Sequence, residues 1–302
     1  IVFIAASLRL PVVMILANRS MSGPLSIWND HTDVMSVRDC GWIQVFTETG
    51  QEVFDHVMWA FRVAESQKVS LPVIVNMDGF ILTHVIEPIE FWDEETVKQY
   101  LPDYKPLNAL DPEKPTTVGA FGMTDIYTEA KVAQNDALLK SKPEILKAWK
   151  ELGDLTGRYY NPVETYKADD AETIFVTMGS IGETVAMAVD ELRKQDKPAG
   201  LIKLRLWRPF PFDELREAAK GAKQLIIIDR AISYGGPGGP VASEIRSIFY
   251  GEDNMPAVTN FICGLAGRDV TPDDYIAMFD KSQKMLAGKV RQEDYVFYGV
   301  RE

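Results

Sequence analysis

Cysteine and histidine are scarce: two cysteines, Cys40 and Cys263, and three histidines stand in 302 residues. Two thiols cannot ligate an iron–sulfur cluster alone, and no paired metal-ligand spacing surrounds them. They read as free thiols of a cytoplasmic protein, with a single disulfide in a secreted protein as the other reading. Basic residues are outnumbered, 32 against 44 acids for a net charge of −12, and no Lys/Arg cluster breaks the pattern. Such a chain repels phosphate backbones, which argues against a nucleic-acid partner. An uninterrupted apolar run long enough for a membrane is missing too. The opening "IVFIAASLRLPVVMILA" is broken by Arg9 and Pro11 and follows no basic segment, so it reads neither as a span nor as a signal peptide. The chain opens on Ile1 without an initiator methionine and begins as though inside a helix, which predicts that its natural N-terminus is lost. Internal repeats and low-complexity tracts are absent.

What remains is 46% hydrophobic and 25% charged, enough for two cores. A buried helix over 1–10 precedes a buried strand over 11–17. "EVFDHVMWAFRVAE" (52–65) sets Val53, Val57, Ala60, Phe61 and Ala64 at helical spacing, with His56 read as a helix-surface histidine. "LPVIVNMDGF" (71–80) reads as a strand ending in polar Asn76, Asp78 and Gly79. Five prolines and many acids over 88–115 predict an irregular connector, and 125–152 looks helical. "KADDAE" (167–172) is a plausible domain boundary.

Beyond it, apolar strands and amphipathic helices alternate. Strand "TIFVTMG" leads to a helix with Val185, Ala188, Val189 and Leu192 on one face. Strand "GLIKLRLW", helix "FDELREAAKG", strand "QLIIIDR", helix "VASEIRSIFY", strand "VTNFICGL" and helix "PDDYIAMFDKSQKML" follow. The expected class is α/β, with a parallel sheet covered on both faces.

Several stretches could carry chemistry. "MGSIGET" (178–184) sits at a strand-to-helix turn suited to an anion, but it lacks G-x-G-x-x-G and a P-loop lysine. "YGGPGGP" (234–240), with Gly235, Gly236, Gly238 and Gly239, reads either as a loop clamping a ligand or partner or as a wide turn. Arg268 and Asp269 could pair locally or face a partner. "WRPF" (207–210) reads as Trp207 and Phe210 packed over a sheet edge.

The densest chemistry lies in "NRSMSGPLSIWNDHTD" (18–33). Arg19 follows a buried strand, where α/β folds place ligand groups, and its guanidinium offers a planar fork for a carboxylate. Asp33 reads as the N-cap of a helix near 34–40, and Arg38 as a partner of Asp39 or Asp33. No Ser-His-Asp order or metal trio accompanies them, so no metal ligand or catalytic residue is assigned.

"NRSMSGPLSIWNDHTDVMSVRDCGWIQVF", "VIVNMDGFILTHVIEPIE", "LTGRYY", "FVTMGSIGETVAMAVDEL", "GLIKLRLWRPFP" and "CGLAGRDVTP" together resemble the α subunit of the 2-oxoacid:ferredoxin oxidoreductases, in the pattern of the pyruvate enzymes. The likeness covers essentially the whole chain in order. It implies that 1–165 is the later part of a pyrimidine-type thiamine-diphosphate-binding domain plus its connector, and 166–302 a transketolase C-terminal-like α/β domain. It further implies oxidative decarboxylation of pyruvate with coenzyme A to acetyl-CoA, CO2 and reduced ferredoxin, with Arg19 holding the substrate carboxylate. A 2-oxoisovalerate or other 2-oxoacid enzyme, or a non-catalytic docking module, is the alternative. Asn29, Asp30 and His31 would lie near the cofactor; Gly235, Gly236, Gly238, Gly239 and Arg268 would form a ligand or subunit loop. Thiamine diphosphate and Mg2+ would be shared with a partner, and [4Fe-4S] clusters would sit on β, γ or δ-type subunits. The chain alone would then be inactive.

Overall fold

The computed structural model describes residues 1–107, 109–119 and 121–301; Asn108 within the expected connector, Ala120 and Glu302 lie outside the described residues. The first half runs α1 (Val2–Ser7), β1 (Val13–Asn18), α2 (Thr32–Ser36), β2 (Ile43–Phe46), α3 (Gly50–Ala64), β3 (Val73–Asp78), α4 (Glu94–Tyr100), α5 (Tyr127–Lys140) and α6 (Lys142–Thr156). The second runs β4 (Val163–Tyr166), β5 (Thr173–Thr177), α7 (Ile181–Lys194), β6 (Ala199–Leu204), β7 (Leu206–Arg208), α8 (Phe212–Ala218), β8 (Gln224–Asp229), α9 (Pro240–Ile248), β9 (Ala257–Ile262), α10 (Pro272–Leu286) and β10 (Val296–Phe297). Among the described residues no helix is long and apolar enough to cross a membrane.

Two sheets organise these elements. The first has the order β1-β3-β2-β7 and the second β10-β9-β8-β5-β6-β4. Every adjacent pair is parallel except β2 with β7 and β4 with β6, which are antiparallel. The expected parallel sheet is therefore a parallel core with one antiparallel strand at an edge. In the second sheet β5 leads through α7 to β6 on one side, whereas β8 joins β5 on the other. The carboxyl ends of β5 and β8 thus flank a topological switch point, where open α/β sheets form a crevice.

The alternation of strand side chains explains the layers. Ile174 and Val176 of β5, with Leu225 and Ile227 of β8, pack against Leu215, Val241 and Ile245 of α8 and α9. Phe175, Ile226 and Ile228 face the other way, onto Val189 of α7 and Met278 and Phe279 of α10. The first of these cores does not stop at the second sheet: Val34, Met35 and Phe46 from the first half are part of it. On the first sheet, Ile43, Val45, Val73 and Val75 meet Trp59, Trp149 and Leu152 of α3 and α6, while Ile74 and Trp42 face Ala6.

Several expectations change for reasons visible only in three dimensions. "GLIKLRLW" is two strands in two sheets, β6 and β7, divided at Arg205. That residue is 3% exposed and bridges Glu52 and Glu164 at 2.8 Å each. Its backbone carbonyl accepts the Phe46 amide at 2.8 Å, so the chain crosses between sheets there. The single helix expected over 125–152 is α5 and α6, separated at Ser141, where Pro143 has no N–H to continue the ladder. The expected connector contains α4, capped by Asp93, whose carboxylate accepts the Thr96 amide at 2.7 Å. Trp207 and Phe210 do pack together, at 5.4 Å between ring centroids.

His56 is not a surface histidine. It is fully buried, because α6 covers that side of α3. Its Nδ1 lies 2.8 Å from the Glu52 carbonyl, and its Nε2 accepts the Trp149 indole N–H at 3.2 Å. Burial pushes its pKa down to about 4, so it serves as a neutral core bridge. Trp149 also stacks on Trp59 at 4.9 Å and 12°. Trp149→Ala removes the ring and orphans His56 Nε2, so a loss of about 3–5 kcal/mol is expected in urea denaturation; a loss below about 1 kcal/mol would contradict this packing.

Candidate functional site

Asp78 is the last residue of β3 and only 1% exposed. Its Oδ1 accepts the Asn29 Nδ2 amide at 3.1 Å and lies 2.8 Å from His31 Nε2. Its Oδ2 accepts both the Ser180 backbone amide at 2.8 Å and the Ser180 hydroxyl at 2.5 Å. The Arg230 guanidinium stands 3.2 Å away. Burial alone would raise the carboxyl; the Arg230 charge, then His31 and the hydrogen bonds, reverse the direction and hold it well below the usual carboxylate range.

This arrangement explains the "MGSIGET" turn. Gly179 has φ of +73° and a Cβ there would lie 2.8 Å from Asp78 Oδ2. The anion at the start of α7 is therefore the protein's own carboxylate. The "YGGPGGP" turn follows the same logic. Asp229 at the end of β8 accepts the Val241 and Ala242 amides of α9 at 2.9 and 3.1 Å, and a Cβ on Gly239 would fall 2.1 Å from its Cγ. The Gly239 amide donates to Asn260 Oδ1 at 2.9 Å. Burial pushes Asp229 up to about 6. Gly235 and Gly238 adopt φ of +70° and +150° in the same turn, beside Gly236.

The expected cofactor-side residues lie on the seam between the halves. The Asn29 carbonyl accepts the Gly267 amide at 2.6 Å, Asp30 Oδ2 accepts the Ala266 amide at 3.2 Å, and the His31 amide donates to the Arg230 carbonyl at 2.8 Å. Asp33 does not cap a helix over 34–40. The helix is α2, with His31 at the N-cap position, and Asp33 lies in its first turn. Its Oδ2 instead accepts the Arg19 amide at 2.8 Å, and its Oδ1 the Asn18 side-chain amide at 3.1 Å. Arg268 donates to the Gly299 carbonyl and makes no pair with Asp269 among the described residues. Arg38 lies near both Asp39 and Glu244.

Arg19 itself stands apart from this seam. It is exposed at the carboxyl end of β1, and its guanidinium lies 5.7 Å from the centre of the Phe80 ring. No ion-pair partner reaches that guanidinium among the described residues. Phe80 stacks on His84 at 4.4 Å and 7° and on Trp28 at 5.6 Å and 28°, forming an aromatic shelf. Trp28 is 51% exposed, a large apolar surface to leave in water beside a cation.

Further along the seam Lys203 donates to Glu48 at 2.5 Å. Burial and the neighbouring Glu52 still push Glu48 up to about 7. Cys40 and Cys263 are both buried, and burial pushes the Cys263 thiol up to about 12. No group of three His, Cys, Asp or Glu side chains converges as a metal site among the described residues. In the sequence Asp78 was only a polar strand end, and Arg230, Arg205 and Glu48 were not singled out. The one available signal was "VIVNMD", where polar Asn76 and Asp78 interrupt a strand that is otherwise apolar and buried.

Two family descriptions match the chain: "Pyruvate flavodoxin/ferredoxin oxidoreductase, thiamine diP-bdg" over residues 1–148, and "Pyruvate:ferredoxin oxidoreductase core domain II" over 171–275. The chain is similar to pyruvate synthase subunit PorA of Thermotoga maritima, 40% identical over 303 residues, covering all of this chain and 76% of that one. It is 44% identical to the Pyrococcus horikoshii subunit of the same name over 90% of this chain and 69% of that one. Ketoisovalerate oxidoreductase subunit VorA of Pyrococcus abyssi is 39% identical over 96% and 73%. Among solved structures, a 2-oxoglutarate:ferredoxin oxidoreductase from Magnetococcus marinus shares the fold with a TM-score of 0.63 at 16% identity, over 93% of this chain and 50% of that one.

The seam makes a pH-dependent prediction. Because the Asp78 pKa is lowered on folding, its contribution is complete above the unfolded value near ~4 and fades as pH falls through the folded value. Asp78→Asn at neutral pH leaves the Arg230 charge buried without its counter-ion, at a cost of about 3–5 kcal/mol. In urea titrations the gap between the two proteins should narrow steadily below pH ~4; a gap independent of pH would show that the ionised form carries nothing.

Proposed function

The chain belongs to the pyruvate:ferredoxin oxidoreductase family as an α-type subunit, and from that premise we propose that it binds the 2-oxoacid carboxylate through Arg19 within a heteromeric enzyme. The reaction in this reading is oxidative decarboxylation of pyruvate with coenzyme A, giving acetyl-CoA, CO2 and reduced ferredoxin. Partner subunits of β, γ and δ type carry the [4Fe-4S] clusters and share thiamine diphosphate and Mg2+. In this reading residues 1–165 are the thiamine-side unit with its connector and 166–302 the second α/β unit, although β4 of the second sheet spans that boundary and β7 returns to the first sheet.

The observation that carries the reading is the placement of Arg19. It closes a strand at the carboxyl end of the first sheet, exposed and without an ion-pair partner among the described residues, above Phe80. A planar guanidinium held against an aromatic face loses little freedom when it grips a carboxylate through two N–H groups. The Asp33 carboxylate fixes the Arg19 backbone through its amide at 2.8 Å. The shelf of Trp28, Phe80 and His84 offers stacked, outward-facing rings, a surface that suits a flat heteroaromatic group such as the pyrimidine of thiamine. Thiamine diphosphate, when bound, supplies the carbanion stabilisation that decarboxylation needs. Arg19 holds the departing carboxylate in one orientation, and the shelf keeps water from that side.

The branched 2-oxoisovalerate remains the second substrate, favoured by the 39% identity to the ketoisovalerate subunit. Steady-state assays on the complex assembled with its partner subunits test both points. Pyruvate is expected to show the higher kcat/KM of the two acids. Arg19→Ala should lower kcat/KM for pyruvate by roughly 100-fold or more, and Arg19→Lys should recover only part of it because an ammonium lacks the fork. An unchanged kcat/KM in Arg19→Ala would sink the anchor role.

A further inference from the structure

The aromatic shelf beside Arg19 is held in a conformation that the backbone does not favour. Phe80 is half-buried and has φ of +61°, in the left-handed region where a side chain crowds the carbonyl oxygen. Such strain persists only where neighbouring contacts impose it. Gly79 supplies the first. Its amide donates to the Asn18 carbonyl at 3.2 Å, and a Cβ there would stand 2.5 Å from that oxygen. Glycine thus lets the end of β3 close on the end of β1, which sets Phe80 beside Arg19. Thr83 supplies the second. Its Oγ1 accepts the Phe80 amide at 2.8 Å, and the same oxygen lies 2.8 Å from His84 Nδ1. The Asp78 carbonyl accepts the Leu82 amide at 2.9 Å and closes the turn that brings Thr83 back to Phe80.

One hydroxyl therefore joins both rings of the stack. It fixes the backbone of Phe80, whose ring centre lies 5.7 Å from the Arg19 guanidinium. It also fixes the ring of His84, which covers Phe80 at 4.4 Å and 7°. Thr83 itself is exposed and stands in a turn. Such a side chain has little packing to lose, so the value of its hydroxyl lies in what it orients.

We propose that Thr83 is a positioning residue for the substrate carboxylate: its hydroxyl holds Phe80 and His84 so that Arg19 is set against the Phe80 ring before the 2-oxoacid arrives. The inference rests on the Arg19 reading above and adds the group that preorganises it. An arginine without that ring loses more rotamer freedom when it grips the acid, and the grip weakens. The loss falls on bound substrate and transition state alike, so it is read in KM rather than in kcat.

Nuclear magnetic resonance on the isotopically labelled chain reads the shelf without substrate or partners. The His84 ring protons should lie upfield, shielded by the stacked Phe80 ring, and the Phe80 amide should exchange slowly. Thr83→Val keeps the shape and loses the hydroxyl. It should move the His84 protons downfield and speed exchange of the Phe80 amide about tenfold, whereas Thr83→Ser should retain both features. Steady-state kinetics on the complex assembled with its partner subunits reads the consequence. Thr83→Val should raise KM for pyruvate about tenfold with kcat changed less than about twofold, and Thr83→Ser should recover most of the loss. Added to Arg19→Ala, Thr83→Val should cost nothing more, because the group it positions is gone. A fully active Arg19→Ala complex would remove the anchor and the positioning role with it. With Arg19→Ala impaired, a normal KM in Thr83→Val, or losses that add in the double variant, would overturn the positioning role and leave the anchor standing. Thr83→Val spectra with the shelf unchanged would overturn it as well.

Discussion

The ion pair of Asp78 with Arg230 is the constraint on which the rest of the structure depends. Asp78 ends an inner strand of the first sheet, and Arg230 follows an inner strand of the second. Removing both charges from water costs several kcal/mol each, and their attraction offsets this only where hydrogen bonds satisfy the remaining oxygens. Asn29, His31 and the amide and hydroxyl of Ser180 do so for Asp78. The geometry leaves little room for variation. Gly179 must be glycine because any side chain would strike Asp78, and residues 29–31 must cross the seam to close the other side. Arg205 with Glu52 and Glu164, and Lys203 with Glu48, repeat the device further along the same junction.

A consequence is that the positions where an α/β sheet ordinarily holds a phosphate are filled from within. Asp78 takes the start of α7 and Asp229 the start of α9. Gly179 and Gly239 are then explained by close approach of a carboxylate. The exposed carboxyl end of the first sheet carries Arg19 beside the Trp28–Phe80–His84 shelf, the place where the substrate is proposed to be held. Rigidity at the seam and exposure at the shelf are complementary: the first fixes residues 18–33, the second presents their one uncommitted cation.

Much of the fold was legible in the amino-acid pattern. The helix over 272–286 coincides with α10 because Thr271 and Asp274 form a capping box ahead of a periodic apolar face. The strands of the second sheet were legible because strands buried on both faces read as unbroken Ile, Leu and Val. What escaped depends on distant partners. The division of 200–207 between two sheets rests on Glu52 and Glu164, far from Arg205 in the chain. The burial of His56 rests on Trp149 in another helix. Arg19 was singled out from its strand-end position and residue type, and its carboxylate role stays a proposal. Asp78 was not, since an acid at a strand end is ordinary until Ser180 and Arg230 are brought to it.

A double-mutant cycle on folding stability, with Asp78→Asn and Arg230→Gln made singly and together, tests the seam most directly. If the two groups stabilise the junction as a pair, removing the second should cost far less once the first is gone. The expected coupling energy is about 2–3 kcal/mol by urea denaturation at neutral pH. Additive effects within about 0.5 kcal/mol would mean that each group acts alone, and the account of the two sheets as joined through this pair would fail.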